Sequence, residues 1–392
     1  MGIGRFAFTP LLPMMLHDGV VDLRTASWLA SANYFGYMLG ALLCTLQPWL
    51  WARFGRLPLP AFSSLVRAGL LATGVLTLAM AWPWAPAWPA LRFAAGVTSA
   101  VVFVYTSGWC LSRLSRLGVP ELGGVIYAGP GAGIVVSGLF ASGMVAWGWT
   151  AATGWLIFGV LAFVLAASVW RTLRGGDERL SRLAPAPAGP AATRSAQRRG
   201  EMALLTLAYG LAGFGYIITA TFLPVIARGA LPGSAWLDMF WPIFGLGVMA
   251  GALLATRISP RIDFRLLLLG CYLTQAFGIA TGLLSPSLAG FALGSLLLGL
   301  PFTAITFFAM QEVRRLRPAT AASFMGLLTA TYGIGQILGP PLVALLLRRS
   351  QNPGQAFTLA LEIAAAALLA GAALYGWLAR AHPVLRAPDP LK

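Results

Sequence analysis

Three arginines lie inside long apolar runs of this 392-residue chain, where a charged side chain is costly. They are Arg5, Arg67 and Arg92. If the runs cross a membrane, a buried guanidinium marks a path for a substrate or an ion. That group binds a carboxylate or a phosphate through two parallel hydrogen bonds. Arg67 and Arg92 stand near the predicted helix ends. Their side chains could instead extend to the lipid headgroups, which competes with substrate binding. Arg5 is therefore the sharpest candidate for holding an anion.

Aromatic and amide side chains on the same runs could complete a mixed apolar and polar pocket around Arg5. Taken singly, each of them fits a packing or interfacial role better, and only as a convergent set do they predict a substrate site. The candidates are Asn33, Tyr37, Tyr105, Tyr127, Tyr216, Tyr332 and Gln336.

Sequence patterns for other kinds of chemistry are missing. The chain has no G-x-x-x-x-G-K-[ST] phosphate loop, and its one lysine is Lys392, which excludes ATP hydrolysis within this chain. It also lacks H-E-x-x-H and G-x-S-x-G. The three cysteines are isolated and the two histidines are far apart, so no metal site is expected. We expect neither an enzyme nor a cofactor.

The elements that carry these residues are membrane helices. The chain is 58% hydrophobic and 10% charged, with a mean hydropathy of +0.78. A water-soluble fold could not hide that much apolar surface. Twelve apolar runs approach the roughly 20 residues that a helix needs to cross a bilayer. They cover about 1–16, 28–49, 60–82, 88–111, 122–146, 150–170, 202–227, 236–256, 264–285, 288–311, 320–347 and 356–379.

Two parts of the sequence, 211 positions apart, match each other. Gly2-Ile3-Gly4 corresponds to Gly213-Phe214-Gly215, and the segment 36–43 corresponds to 247–254. The second copy has twelve residues, 201–212, before its Gly-x-Gly, whereas the first has Met1 alone. We therefore expect the first helix to be truncated, which would put Arg5 near mid-membrane, opposite Tyr216 in the alignment. If Met1 is the true start, Arg5 is instead an anchor at the cytoplasmic surface.

The basic residues predict the orientation of the chain. With the first helix running outward, 20 of the 27 Lys and Arg residues fall on the cytoplasmic side and four on the other. The positive-inside rule also explains the net charge of +16 better than nucleic-acid binding does. We expect both termini inside, a six-helix bundle at 1–170, a cytoplasmic linker at 171–200, a second bundle at 201–379 and a tail at 380–392.

Twelve spans in two sets of six around a basic linker resemble the major facilitator superfamily. The opening segment 2–15 (GIGRFAFTPLLPMM) is similar to the signature of its YbfB/YjiJ-like subfamily, and the segments 28–40, 91–96 and 309–315 add to the likeness. The resemblance implies an all-α membrane protein of the major facilitator fold, with two pseudo-symmetric six-helix bundles that rock around a midplane site.

The resemblance also implies gating and coupling residues. Arg53, Gly55 and Arg56 are similar to the superfamily's D-R-x-G-R loop, although Ala52 stands where that motif has its acid. The positive-inside rule explains Arg53 and Arg56 equally well, as anchors of a helix end at the cytoplasmic surface. Arg92 resembles the arginine of a fourth-helix R-x-x-x-G pattern associated with coupling. Gly129, Pro130 and Gly133 resemble an antiporter motif, for which close packing and kinking are the simpler explanation.

These observations favour a secondary transporter that moves a small organic anion by alternating access. Proton-driven efflux of metabolites or drugs is the alternative within transport, with protons as a further partner, and a transporter-like membrane sensor is the alternative of another class. We expect a multi-pass monomer in the bacterial cytoplasmic (inner) membrane whose partners are a small-molecule substrate and the lipid bilayer.

Overall fold

The structure is a computed structural model that describes residues 2–54, 62–175, 195–234, 236–258, 262–317 and 321–383. Within these ranges the chain forms fourteen α-helices and no strand. The helices are α1 (Gly2–Phe6), α2 (Phe8–His17), α3 (Leu23–Phe54), α4 (Phe62–Ala79), α5 (Trp88–Arg116), α6 (Ala128–Ala146), α7 (Ala151–Val169), α8 (Ser195–Ala230), α9 (Phe240–Ala255), α10 (Phe264–Leu284), α11 (Leu288–Gly299), α12 (Phe302–Leu316), α13 (Ala321–Arg349) and α14 (Pro353–Ala381). Short 3₁₀ segments occur at Ala85–Ala87, Pro120–Tyr127, Thr172–Gly175 and Leu237–Met239.

Lipid is the solvent that this helical assembly requires. In the described part of the chain, ten helical segments are long and apolar enough to cross a membrane, and Ser63–Ala79 is a shorter apolar helix. Leu156, Val160 and Val164 form one outward row on α7 and are 49%, 56% and 58% exposed. Helices close their own backbone hydrogen bonds, so an apolar outer face leaves no polar group unsatisfied in hydrocarbon.

The first helical rod is interrupted at Ala7 but continues in the same direction. The amide of Ala7 still donates to the carbonyl of Ile3, and the amide of Leu11 donates to Ala7. Pro10 has no amide hydrogen and loosens the ladder at this point. Residues 2–17 span about 24 Å at 1.5 Å per residue. The corresponding helix of the second copy, α8, has 36 residues.

Helix α8 begins earlier than the sequence predicts. Its first residue is Ser195, six residues inside the range 171–200 that we assigned to the linker. The residues just after Ser195 are Ala, Gln and Arg, which favour helices but carry no apolar signal. The rest of the predicted linker, 176–194, and the tail from 384 lie outside the described residues.

The two sequence copies pack their helices in the same way. In the first copy, Gly36 of α3 lies against the backbone of α5 at Phe93. In the second, Gly247 of α9 lies against the backbone of α11 at Leu296. A Cβ on either glycine would collide with the facing helix, so both are close-approach positions. Between the copies, α6 packs on α9, α3 on α13 and α2 on α8.

Candidate functional site

Two hydrogen bonds join positions that are 211 residues apart, which is the offset of the duplication. Arg5 Nη2 donates to the hydroxyl of Tyr216 at 3.5 Å. One turn further, Thr9 Oγ1 donates to the carbonyl of Ala220 at 3.1 Å. Equivalent positions of two repeats meet where the axis that relates them passes. Arg5 therefore lies at the contact between the two repeats.

Aromatic rings cover the Arg5 guanidinium, and one of its buried edges has no strong hydrogen-bond partner. The side chain is only 5% exposed. Its Cζ lies 4.2 Å from the ring centroid of Tyr37, 5.4 Å from that of Tyr34 and 5.3 Å from that of Phe6. Rings at these distances stabilise a cation. The buried Nε has no hydrogen-bond partner, and Nη2 makes only the long bond to Tyr216. The Nε–Nη2 edge matches a bidentate carboxylate.

Tyr216 connects Arg5 to a stack of tyrosines on α8 and α13. The amide of Gln336 donates to the Tyr216 hydroxyl. The ring of Tyr332 lies 5.7 Å from that of Tyr216 with 22° between the planes, and 4.8 Å from the ring of Tyr209. Tyr209 was not among the predicted substrate residues, although it stands seven residues before Tyr216 and hence on the same face of α8.

Arg92 points into the protein and holds the backbone next to Arg5. It is 1% exposed, so it does not extend to the membrane surface. Its Nη1 and Nη2 donate to the carbonyls of Gly4 and Arg5 at 3.4 and 3.5 Å. Asn33 Nδ2 in turn donates to the carbonyl of Arg92 at 2.8 Å. Arg92 thus joins α5 to the turn of α1 that carries Arg5.

No carboxylate of the described residues pairs with Arg5 or Arg92. The ion pairs found there involve Asp18, Glu201, Asp238, Asp263 and Glu312 with other partners. Two buried guanidinium groups beside one turn of helix therefore give the site an uncompensated positive charge. A low-dielectric interior favours an anion at such a place.

The other predicted substrate residues are distributed unequally. Tyr37 lies over Arg5, while Tyr332 and Gln336 lie around Tyr216. Tyr105 donates to Gln47 Oε1 at 2.7 Å, and Tyr127 packs against Phe103 with 6.1 Å between ring centroids. Both therefore make their contacts away from Arg5.

The predicted gating residues lie at helix ends and helix contacts. Arg53 is exposed near the end of α3, and Gly55 and Arg56 lie outside the described residues. Gly131 of α6 packs against the α9 backbone. Of the flanking motif residues, Gly133 packs against Gly2, Pro130 is buried, and Gly129 faces open space. This arrangement supports the packing explanation of the motif.

A buried ion cluster at the other end of the second repeat was missed. Arg265 lies at the start of the predicted apolar run 264–285, and its side chain is 0% exposed in the first turn of α10. It pairs with Asp263 at 2.9 Å, Glu201 at 3.3 Å and Glu312 at 3.6 Å, and Glu312 also binds Arg315. Asp263 before an apolar run is a cap signal that marks this helix start. The other two carboxylates, Glu201 and Glu312, come from α8 and α12. A sequence pattern within one helix cannot show that these distant helices meet Arg265.

Apolar helices with a buried cationic site at the contact between two repeats define the class of helical membrane transporters. The family model described as "Uncharacterised MFS-type transporter YbfB" matches residues 1–375. The chain therefore belongs to this family of the major facilitator superfamily, which confirms the resemblance found in the sequence. The description of the family is that of a transporter.

A solved structure supports the fold independently. The crystal structure of a mutant of the nucleoside transporter NupG is similar with a TM-score of 0.67 and 14% identity, over 96% of this chain and 98% of that chain. At this identity the likeness shows the fold alone. No curated protein matches the sequence.

Proposed function

We propose that the protein is a secondary transporter that moves a small organic anion across the bacterial cytoplasmic membrane by alternating access. The observation that carries the proposal is the buried Arg5, whose Nε–Nη2 edge has no strong partner and no carboxylate nearby in the described chain. An anionic group at that edge would satisfy both the charge and the donors.

The moving parts that we propose are two six-helix bundles, residues 1–170 and 201–379, with twelve spans in all and both termini in the cytoplasm. The contacts of α3 with α13 and of α6 with α9 support this division, because they join the two sequence copies. Rocking along these contacts would expose Arg5 to one side of the membrane at a time. We propose that one chain is sufficient for the cycle.

The aromatic residues around Arg5 define how the cargo would be held. The Tyr37 ring covers one face of the guanidinium, so the anion would approach in the plane of that group, from its edge. The Tyr216 hydroxyl, which accepts from the amide of Gln336, supplies a further polar group beside the same edge. The site is therefore rich in donors, which suits a carboxylate or a phosphate.

The experiment is thermal stabilisation of the purified protein by benzoate, lactate, citrate, inorganic phosphate, choline and glucose. Ligands that prefer the folded state raise Tm by mass action. We expect stabilisation by at least one of the four anions, loss of that effect in Arg5→Gln and its retention in Arg67→Gln. Stabilisation by choline alone, or an equal response of Arg5→Gln, would overturn the proposal.

A further inference from the structure

The charge at the site would change when cargo leaves, and no carboxylate among the described residues contacts the site to offset the change. Arg92 binds the carbonyls of Gly4 and Arg5, so two guanidinium groups share one turn of α1. Arg5 donates to Tyr216, a neutral hydroxyl. Within the described residues, no carboxylate contacts either arginine. The emptied site therefore keeps both positive charges.

This imbalance has a direct consequence for the transport cycle. When an anion is bound, the two arginines are partly neutralised, and the loaded site can become enclosed between the repeats. When the site is empty, enclosing it removes water from two unpaired cations, and an unpaired charge in a low-dielectric interior is strongly disfavoured. A carboxylate at the site could take over the neutralising role when cargo leaves, but the side chains in contact with the Arg5 guanidinium here are three tyrosines and a phenylalanine.

We propose that the protein is an exchanger, in which release of one anion must be followed by binding of another before the site returns across the membrane. The inference rests on the proposed function and adds what drives it. The outward movement of one organic anion is coupled to the inward movement of another. The two guanidinium groups of Arg5 and Arg92 make the return of the empty carrier slow.

Arg92 offers a way to separate coupling from binding. Arg92→Gln removes one positive charge and the two hydrogen bonds to the carbonyls of Gly4 and Arg5, while the Arg5 side chain itself is unchanged. Loaded and empty vesicles are compared within the same variant, so a loss of affinity lowers uptake in both and does not by itself change their ratio. The empty site then carries one unpaired charge instead of two, and its return across the membrane becomes faster relative to exchange. Arg67→Gln is the matched control, because Arg67 lies on α4 and stacks over Trp170 at 5.2 Å, away from the site.

The test is uptake of a ¹⁴C-labelled anion into vesicles that contain the purified protein. The probe is ¹⁴C-benzoate, whose flat ring suits the tyrosine stack, or ¹⁴C-lactate, ¹⁴C-citrate or ³²P-phosphate if that anion stabilises the protein most. Vesicles loaded with the same anion in unlabelled form are compared with vesicles that contain no anion. The external concentration of labelled anion is the same in both. We expect loaded vesicles to take up label at least about tenfold faster, which corresponds to about 1.4 kcal/mol of barrier.

The outcomes separate this inference from the proposed function. The loaded-to-empty ratio should fall in Arg92→Gln and stay unchanged in Arg67→Gln. Equal uptake into loaded and empty vesicles by the wild type would refute exchange and leave anion transport standing. An unchanged ratio in Arg92→Gln would refute the role of the paired charges. If no anion stabilises or enters, the proposed function itself fails.

Discussion

Arg5 makes a specific demand on its ligand, because the geometry of its guanidinium matters as much as its charge. The Tyr37 ring covers its face, and the Nε–Nη2 edge is left to bind in the plane. Lysine would keep the positive charge, but its compact ammonium group lacks the two parallel N–H donors of a planar guanidinium. The structure therefore distinguishes an arginine-specific site from a merely positive one.

This distinction gives a prediction for Arg5→Lys. The variant should bind the stabilising anion about 10- to 100-fold more weakly, since a hydrogen bond to a charged group contributes about 1.5–3 kcal/mol. Dissociation constants from thermal-shift titration would measure the effect. Equal affinity of Arg5→Lys and wild type would show that only the charge matters.

Asp263 predicts a pH dependence outside the membrane-spanning helices. Burial tends to raise its pKa, but hydrogen bonds from the side chain and amide of Arg265, with the positive charge, outweigh burial and lower the pKa. Because the folded-state pKa is below the unfolded value of 3.8, the stabilisation is fully present above that pH and is lost as the pH falls further. Asp263→Asn should cost about 1–2 kcal/mol at pH 7, because asparagine can still cap the helix but loses the charge-assisted hydrogen bonds to the Arg265 guanidinium.

The measurement is Tm of wild type and Asp263→Asn across pH. Their difference should stay constant from pH 7 down to about 4 and narrow only below that. A difference that already disappears near pH 6 would contradict the assignment.

At this scale the sequence predicted individual residues better than their partners. Apolar surroundings marked Arg5 and Arg92 as candidate buried cations, while a surface anchor for Arg5 and extension of Arg92 to the headgroups stayed open. The sequence could not show that Arg92 binds the backbone of Arg5, or that Arg265 meets Glu312, because those contacts join helices far apart in the chain.

Helices α6 and α9 approach each other at glycines. In the motif on α6, Gly131 contacts α9 and Gly129 does not, so Gly129 serves as the control position. A Cβ on Gly131 would lie 2.8 Å from both the Gly245 carbonyl oxygen and the Met249 nitrogen, which are backbone atoms and give way little. Nothing lies within 4 Å of a Cβ on Gly129. We predict that Gly131→Ala destabilises the protein by about 1–3 kcal/mol through overpacking. Gly129→Ala should leave Tm unchanged or raise it slightly.

Thermal unfolding of both variants, with uptake measured in parallel, would check this prediction. Equal tolerance of alanine at the two positions would mean that α6 and α9 do not approach as closely as the structure shows.

Element boundaries were readable wherever apolar character begins or ends at the helix terminus. The predicted boundary was wrong where a helix extends into polar residues, as α8 does from Ser195. Interruptions such as the one at Ala7 were also not predicted, because Pro10 acts on hydrogen bonds and leaves hydropathy unchanged.

At the scale of the whole molecule, the proposed alternating access requires the contact between α3 and α13 to open during the cycle. A Cβ on Gly326 would lie 3.8 Å from the Cβ of Thr45, the separation found in disulfides. We predict that Thr45→Cys with Gly326→Cys cross-links on oxidation and stops transport. The background replaces the native cysteines Cys44, Cys110 and Cys271 with alanine.

Reduction should restore uptake in the same sample, which is the internal control. Full activity of the oxidised, cross-linked protein would contradict separation of the two repeats at this end.

The duplication aligns equivalent positions of the two copies in the sequence, and an axis that relates two repeats brings such positions together where it passes. The meeting of Arg5 with Tyr216, and of Thr9 with Ala220, agrees with that symmetry. Which helices join the two copies could not be read from periodicity, because lipid-facing and partner-facing sides of these helices are equally apolar.

The most direct test of an anion transporter centred on Arg5 is uptake of the labelled, stabilising anion into anion-loaded vesicles by wild type, Arg5→Lys and Arg5→Gln. We predict rapid uptake by wild type, strongly reduced uptake by Arg5→Lys and background uptake by Arg5→Gln, with all three proteins folded and inserted to the same extent. Wild-type rates in Arg5→Gln would contradict the account.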